Sequence, residues 1–197
     1  VRTFTVANIG GVFVTISGTS VWLIWPLLLG GEWGYDQLTV GLAITPTPLI
    51  ASVVTIGATR WLFPRFGYRW LLPLGMAALC LADILFLVTL TAEPDYLVAM
   101  LPGLVLFGGG MGLSFAPVNA AALLDVDADD YATANATFNV GRAIAAAIGV
   151  AVVVAALGEP GSDRLAGFER AYVVLSIVSG LGFVFFLLAW PQRQRGG

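Results

Sequence analysis

The chain has 197 residues, of which 58% are hydrophobic and 11% charged, and its net charge is −3. Soluble domains carry about a quarter charged residues, so this composition, with a mean hydropathy of +0.91, excludes a water-soluble domain and indicates an integral membrane protein. All nine basic residues are arginine, there is no histidine, and no basic face is broad enough for a nucleic-acid partner.

A membrane-crossing helix needs about 20 mostly apolar residues. Six segments qualify, at residues 6–29, 40–62, 70–90, 97–117, 134–157 and 171–190. They recur too often for one signal peptide. The predicted fold class is therefore all-α, a polytopic bundle of six transmembrane helices in a single domain over residues 1–197. The connections are short. Residues 30–39 carry Glu32 and Asp36, and residues 91–96 carry Glu93 and Asp95. The stretch 58–69, ATRWLFPRFGYR, is a basic hinge with Arg60, Arg65 and Arg69. The loop 118–133 holds Asp125, Asp127, Asp129 and Asp130, placed to cap the fifth helix and to favour the positive end of its dipole; a cation or regulatory site is the other reading of these acids. The positive-inside rule counts arginines and nearly ignores acids. With the hinge inside, Arg2, Arg60, Arg65, Arg69, Arg193 and Arg195 fall on one side and only Arg164 and Arg170 on the other. Both termini are predicted to be cytoplasmic.

Polar and small residues recur at steps of three and four, which puts them on single helix faces. In the first segment these are Asn8, Gly11, Thr15, Gly18, Trp22 and Trp25; in the second, Gly41, Thr45, Pro48, Ser52, Thr55 and Thr59. Lipid does not call for hydroxyls, so both faces are expected to point toward other helices or a watery cavity. Close helix packing and cavity lining both fit the first stripe, and interfacial anchoring also fits its tryptophans. The fourth segment contains Gly103 and the run Gly108, Gly109, Gly110 and Gly112; the fifth has Gly141, Ala145 and Gly149 beside Ala143, Ala147, Ala151 and Ala155. Stripes of this kind mark tight helix crossings. No Lys-Ser/Thr follows the glycine run, so it is not a phosphate loop.

Two ionisable residues lie at membrane depth, where charge is expensive and functional roles are expected. Asp83, in the third segment, reads either as a proton or cation site or as a hydrogen-bonded clip between helices. Arg142, in the fifth, reads as an orientation anchor, as a partner of the Asp125–Asp130 acids, or as a transport residue. Enzymatic function is not expected: the only cysteine, Cys80, has no visible base, and no acid cluster lies at membrane depth. No cofactor or metal is expected.

The chain resembles the C-terminal half of a major facilitator superfamily transporter, most like the fourteen-helix drug:proton antiporters. RWLFPRFGYR is similar to the family's loop between consecutive helices: Arg65, Gly67 and Arg69 match, Arg60 adds to its charge, and Pro64 stands at the family's aspartate position. FGGGMGLSFAPVNAAAL resembles the glycine-rich helix that ends in a proline and a cytoplasmic loop. ATANATFNVGRAIAAAIGVAV is similar to the penultimate helix, through Asn135, Asn139, Gly141, Arg142 and Gly149. The resemblance implies a secondary transporter of the bacterial inner membrane that exports small amphipathic compounds or drugs while protons move inward, by alternating access between two bundles. This chain would be one bundle of a longer transporter. Its partners would be the lipid bilayer, the missing N-terminal half, a small-molecule solute and protons. Within that reading Asn8, Thr15, Trp22 and Trp25 are the substrate-cavity candidates and Asp83 the proton or cation candidate. A half-size homodimeric transporter or channel subunit, and a non-transporting membrane scaffold, are the alternatives.

Overall fold

The structure, a computed structural model, describes residues 2–124, 126–158 and 164–190. These residues are almost entirely helical. α1 is Arg2–Pro26 and runs on through a π-helical turn, Leu27–Glu32. α2 (Gln37–Ile44) and α3 (Pro46–Gly57) are separated only at Thr45, and a π turn, Ala58–Leu62, leads into α4 (Phe63–Thr89). α5 is Leu101–Ala122, entered by the π turn Tyr96–Met100; α6 is Tyr131–Leu157 and α7 is Arg164–Ala189.

The basic hinge is therefore helical rather than a loop. Gln37–Thr89 is one apolar helical stretch of 53 residues, so that five rather than six uninterrupted helices are long enough to cross a membrane. At 1.5 Å per residue, 53 residues would reach about 80 Å, far beyond a hydrocarbon core of about 30 Å. The break is Gly67, whose φ of 65° and ψ of 179° leave helical space entirely. Packing shows that the chain reverses there. Gly108 meets Thr47 and Gly112 meets Ala51, so α3 runs parallel to α5; Gly110 meets Leu79 and Gly103 meets Phe86, so α4 runs antiparallel to it. By the same test α1 is antiparallel to α7 (Gly10 with Phe186, Gly182 with Phe13) and parallel to α6 (Gly11 with Phe138, Gly149 with Ile16). Six crossings with alternating direction result. The helices overrun the predicted segments at most ends, because backbone hydrogen bonding continues past the apolar stretch.

Sequence signals set the starts. Asp36 and Asp95 each accept a backbone N–H with Oδ1, from Thr39 (3.3 Å) and Val98 (3.2 Å). Hydrogen bonding by Thr39 holds the Asp36 carboxyl below the usual carboxylate range. Pro46, Pro64 and Pro102 stand in first turns, where a missing N–H leaves nothing unpaired. The acids before α6 behave differently from expectation. Asp130 occupies the N-cap and Asp127 starts the short turn Ala128–Asp130, yet neither side chain makes a capping bond. Their effect is confined to the helix dipole; Asp125 lies outside the described residues.

The centre of the bundle is aromatic. Trp25 packs against Phe107 (5.1 Å between ring centroids) and Phe86 (5.9 Å), and Phe86 stacks on Tyr172 (5.3 Å). In lipid the hydrophobic effect between helices is absent, and close packing takes over its role. The glycine run supplies that packing on two sides of α5. A β-carbon on Gly108 or Gly112 would stand 2.7 or 2.6 Å from a carbonyl oxygen of α3, and one on Gly110 would stand 2.9 Å from the Gly75 carbonyl of α4. Gly109 faces open space.

Two predictions follow this geometry. Gly112→Ala forces α3 away from α5 and lowers the thermal midpoint in detergent, whereas Gly109→Ala leaves it equal or higher, since alanine is the better helix former by up to about 1 kcal/mol; equal losses for the two would contradict the seam. Gly67→Ala meets no neighbour within 4 Å, so its penalty is backbone strain alone, about 1–3 kcal/mol, read as a lower midpoint without altered packing elsewhere.

Candidate solute-facing site

One side of the bundle is left uncovered by its own helices, and it mixes polar groups with large apolar side chains, Leu49, Val53 and Ile56 among them. The second stripe lies along it: Gly41, Thr45, Pro48, Ser52 and Thr59 are exposed and Thr55 is half-buried. Their hydroxyls are satisfied locally, Thr45 to Gly41 O and Ser52 to Pro48 O, while Thr55 Oγ1 donates across to Gly112 O of α5 (3.1 Å). Between α3 and α5 opens a cleft of about 350 Å³, lined by Ala51, Ser52, Thr55, Met111 and Phe115 among others. α6 borders the same side and buries little more than Phe138, Ala145, Gly149 and Val153.

Arg142 lies about three turns into α6 and crosses from it to two other helices. Nε donates to Thr15 Oγ1 on α1 (3.2 Å) and Nη1 to Asn119 Oδ1 on α5 (2.9 Å). The guanidinium sits 4.1 Å above the Phe115 ring and 5.8 Å from that of Phe138. Asn119 is itself aimed by its amide, which donates to Phe115 O (2.5 Å). Two oriented acceptors and two aromatic faces thus hold the Arg142 cation, and one of those rings, Phe115, also lines the cleft. The cleft itself presents the Phe115 ring and the hydroxyl-bearing Ser52 and Thr55 among apolar side chains.

Of the residues singled out by sequence, Thr15 and Arg142 are brought together, and Thr15 is buried by that contact. Asn8 lies about two turns from Thr15 on α1, with its amide bonded to Phe4 O (2.8 Å). Asn135 and Asn139 are exposed on α6 and bonded to each other (3.1 Å). Gly141 meets nothing within 4 Å, whereas Gly149 admits Ser20 and Ile16 of α1. The two tryptophans part: Trp22 is 41% exposed, while Trp25 is fully enclosed in the aromatic centre, because α1 turns that side toward α4 and α5. Asp83 is remote from the cleft, sealed between α4 and α7, and does not meet Arg142. Arg60, Arg65 and Arg69 are exposed at the far end around Gly67, with Arg69 lying 5.9 Å from the Trp70 ring. Sequence reading passed over Asn119 and Phe115. An asparagine within an apolar run was the available signal, since such a group must find a partner inside the bundle. It also passed over the ion pair at the opposite end, Arg164 with Glu32 (3.2 Å), an exposed contact of small energetic weight.

Six alternating helices with a polar, uncovered face define one bundle of a transporter-type membrane protein. The chain belongs to the Major Facilitator Superfamily, whose family model matches residues 7–196. It is 26% identical over 164 residues to the quinolone resistance protein NorB of Staphylococcus aureus (strain MRSA252), covering 82% of this chain and 35% of that protein. It is 24% identical over 151 residues to the probable transport protein HsrA of Haemophilus influenzae (77% of this chain, 32% of the relative). Against the uncharacterized MFS-type transporter YvkA of Bacillus subtilis (strain 168) it is 24% identical over 184 residues (91% and 38%). The chain thus spans about a third of the length of these relatives.

The Arg142 cluster is testable by a double-mutant cycle. Thr15→Val and Arg142→Gln, measured singly and together by thermal unfolding in detergent, should show a coupling energy of about 0.5–3 kcal/mol. Strict additivity would mean that the bond between them carries no energy.

Proposed function

We propose that this chain is the C-terminal six-helix bundle of a proton-coupled secondary transporter that exports small amphipathic compounds, drugs among them, by alternating access against a second bundle. The membrane is a bacterial cell membrane, and both termini are cytoplasmic. The observation that carries this reading is the Arg142 cluster, next to Phe115 of the cleft, on a bundle whose α3 hydroxyl stripe its own helices leave uncovered. A charged guanidinium at membrane depth is costly in lipid, and a second bundle with a water-filled path between the two would accommodate it. Family membership and the name of the quinolone resistance relative support a drug-like solute. Trp22, partly exposed on α1, and Asn8 toward the cytoplasmic end are assigned to the path, with Thr15 acting through its bond to Arg142; Phe115, shared by the cleft and the Arg142 cation, suits solutes with a flat ring and a polar substituent. The main proton-coupling acids are assigned to the other bundle.

The test is made on the product of the native gene. Its intact mass should exceed twice 20.7 kDa; a product of 20.7 kDa would make the second bundle another copy of this chain. In inverted membrane vesicles, ethidium should accumulate when the interior is acidified and leave when a proton ionophore is added. Uptake that ignores the ionophore would overturn proton coupling, and uptake no greater than in vesicles lacking the protein would overturn export. In the same vesicles Arg142→Lys should lower ethidium transport several-fold, because an ammonium cannot reach both acceptors and lie flat on Phe115.

A further inference from the structure

Asp83 lies away from the cleft, in the seam between α4 and α7, with no exposed surface. Its Oδ2 is 2.8 Å from Ser179 Oγ, and the same hydroxyl is 2.5 Å from the carbonyl oxygen of Leu175, one turn earlier in α7. A serine hydroxyl has one hydrogen to donate. Were Asp83 ionised, Ser179 would face two acceptors with a single proton, and one of two short contacts would be lone pair against lone pair. Were Asp83 a carboxylic acid, Oδ2–H would donate to Ser179 Oγ and the hydroxyl would donate to Leu175 O, so that both contacts become hydrogen bonds. Asp83 Oδ1 has no partner among the described residues, which is tolerable for a neutral carbonyl and costly for half of a buried carboxylate.

The groups around the carboxyl supply no counter-charge. From α4 the titratable neighbour is Cys80, whose thiol donates to Ser176 O (3.4 Å); from α7 it is Tyr172. α5 carries no titratable residue, and α1 carries only Arg2, at its far end. Among the described residues the single salt bridge is Arg164 with Glu32, at the end of the bundle.

We propose that Asp83 is a proton-binding site, in which a resident proton on Oδ2 completes a carboxyl–hydroxyl–carbonyl chain that fastens α4 to α7. The proton is here a structural ligand. Its loss would leave Ser179 one hydrogen for two acceptors and would push the seam apart, and it exchanges only when that seam opens. The proposal does not depend on proton-coupled transport, because the site is closed off from the solute-facing cleft.

The test is infrared difference spectroscopy of the protein in lipid bilayers at neutral pH, wild type minus Asp83→Asn. The variant should fold, since an amide can donate to Ser179 Oγ in place of the acid. The expected spectrum contains a carboxylic acid C=O band lost in Asp83→Asn. Carboxylate stretching bands in its place would overturn the proposal. Ser179→Ala removes the acceptor, so the band should move to higher frequency there; a band that stays put would show that the proton is not donated to Ser179. Thermal midpoints add a second readout. Asp83→Asn should stay close to wild type while Asp83→Ala falls, and an equal fall in both would overturn the neutral clip.

Discussion

The close approach of α5 to both of its neighbours is the constraint on which the rest of this bundle depends. Gly108 and Gly112 let the α3 backbone in from one side, and Gly110 with Gly75 lets in α4 from the other. In lipid there is no expulsion of water to hold helices together, so van der Waals contact at this range is the main source of cohesion. Because α3 and α4 both lie against α5, the reversal at Gly67 has only one way to close, and the second and third crossings become antiparallel. The same seam sets the depth of the Phe115 cleft and turns Asp83 away from it.

The two ionisable residues at membrane depth are accommodated by opposite means. Arg142 keeps its charge and is surrounded by oriented acceptors and ring faces on a side that its own bundle leaves open. Asp83 is enclosed, with a hydroxyl as its one partner and no cation near. Pairing them with each other would have satisfied both, yet the aromatic centre of Trp25, Phe86, Phe107 and Tyr172 fills the interior between their helices. One residue is thereby left on the side that its own helices do not cover. The other is left inside a packing seam, where it acts on the bundle itself.

For a member of the Major Facilitator Superfamily, the division between covered and uncovered faces is the functional statement. α4 and α7 pack against each other and present apolar side chains such as Leu81, Val88, Leu181 and Leu188 outward, as lipid requires. α3 and α6 expose hydroxyls, asparagines and small residues interleaved with large apolar side chains such as Leu49, Val53, Ile56, Val140, Ile144 and Ile148. The two sides thus differ in their polar content, and both carry exposed apolar side chains.

Apolar length was enough, in the sequence alone, to indicate an all-α membrane bundle, and the glycine spacing marked tight crossings at Gly103, Gly108, Gly110, Gly112 and Gly149, though not at Gly109 or Gly141. Those features are local in the chain: a run of 20 apolar residues or a small residue every fourth position has the same meaning wherever the helix packs. Side-chain destinations were not local. Trp22 and Trp25 stand three apart on one stripe, yet one is exposed and the other is at the centre, because the neighbours of α1 differ across that arc. The hinge read as a loop, yet it stays helical until one glycine, since no sequence signal distinguishes a π turn from a break. That Arg142 meets Thr15 and Asn119, residues 127 and 23 positions away, and that Asp83 meets Ser179, 96 positions away, was decided by tertiary packing alone, because hydrogen-bond partners on different helices are chosen by crossing geometry and not by spacing along either one.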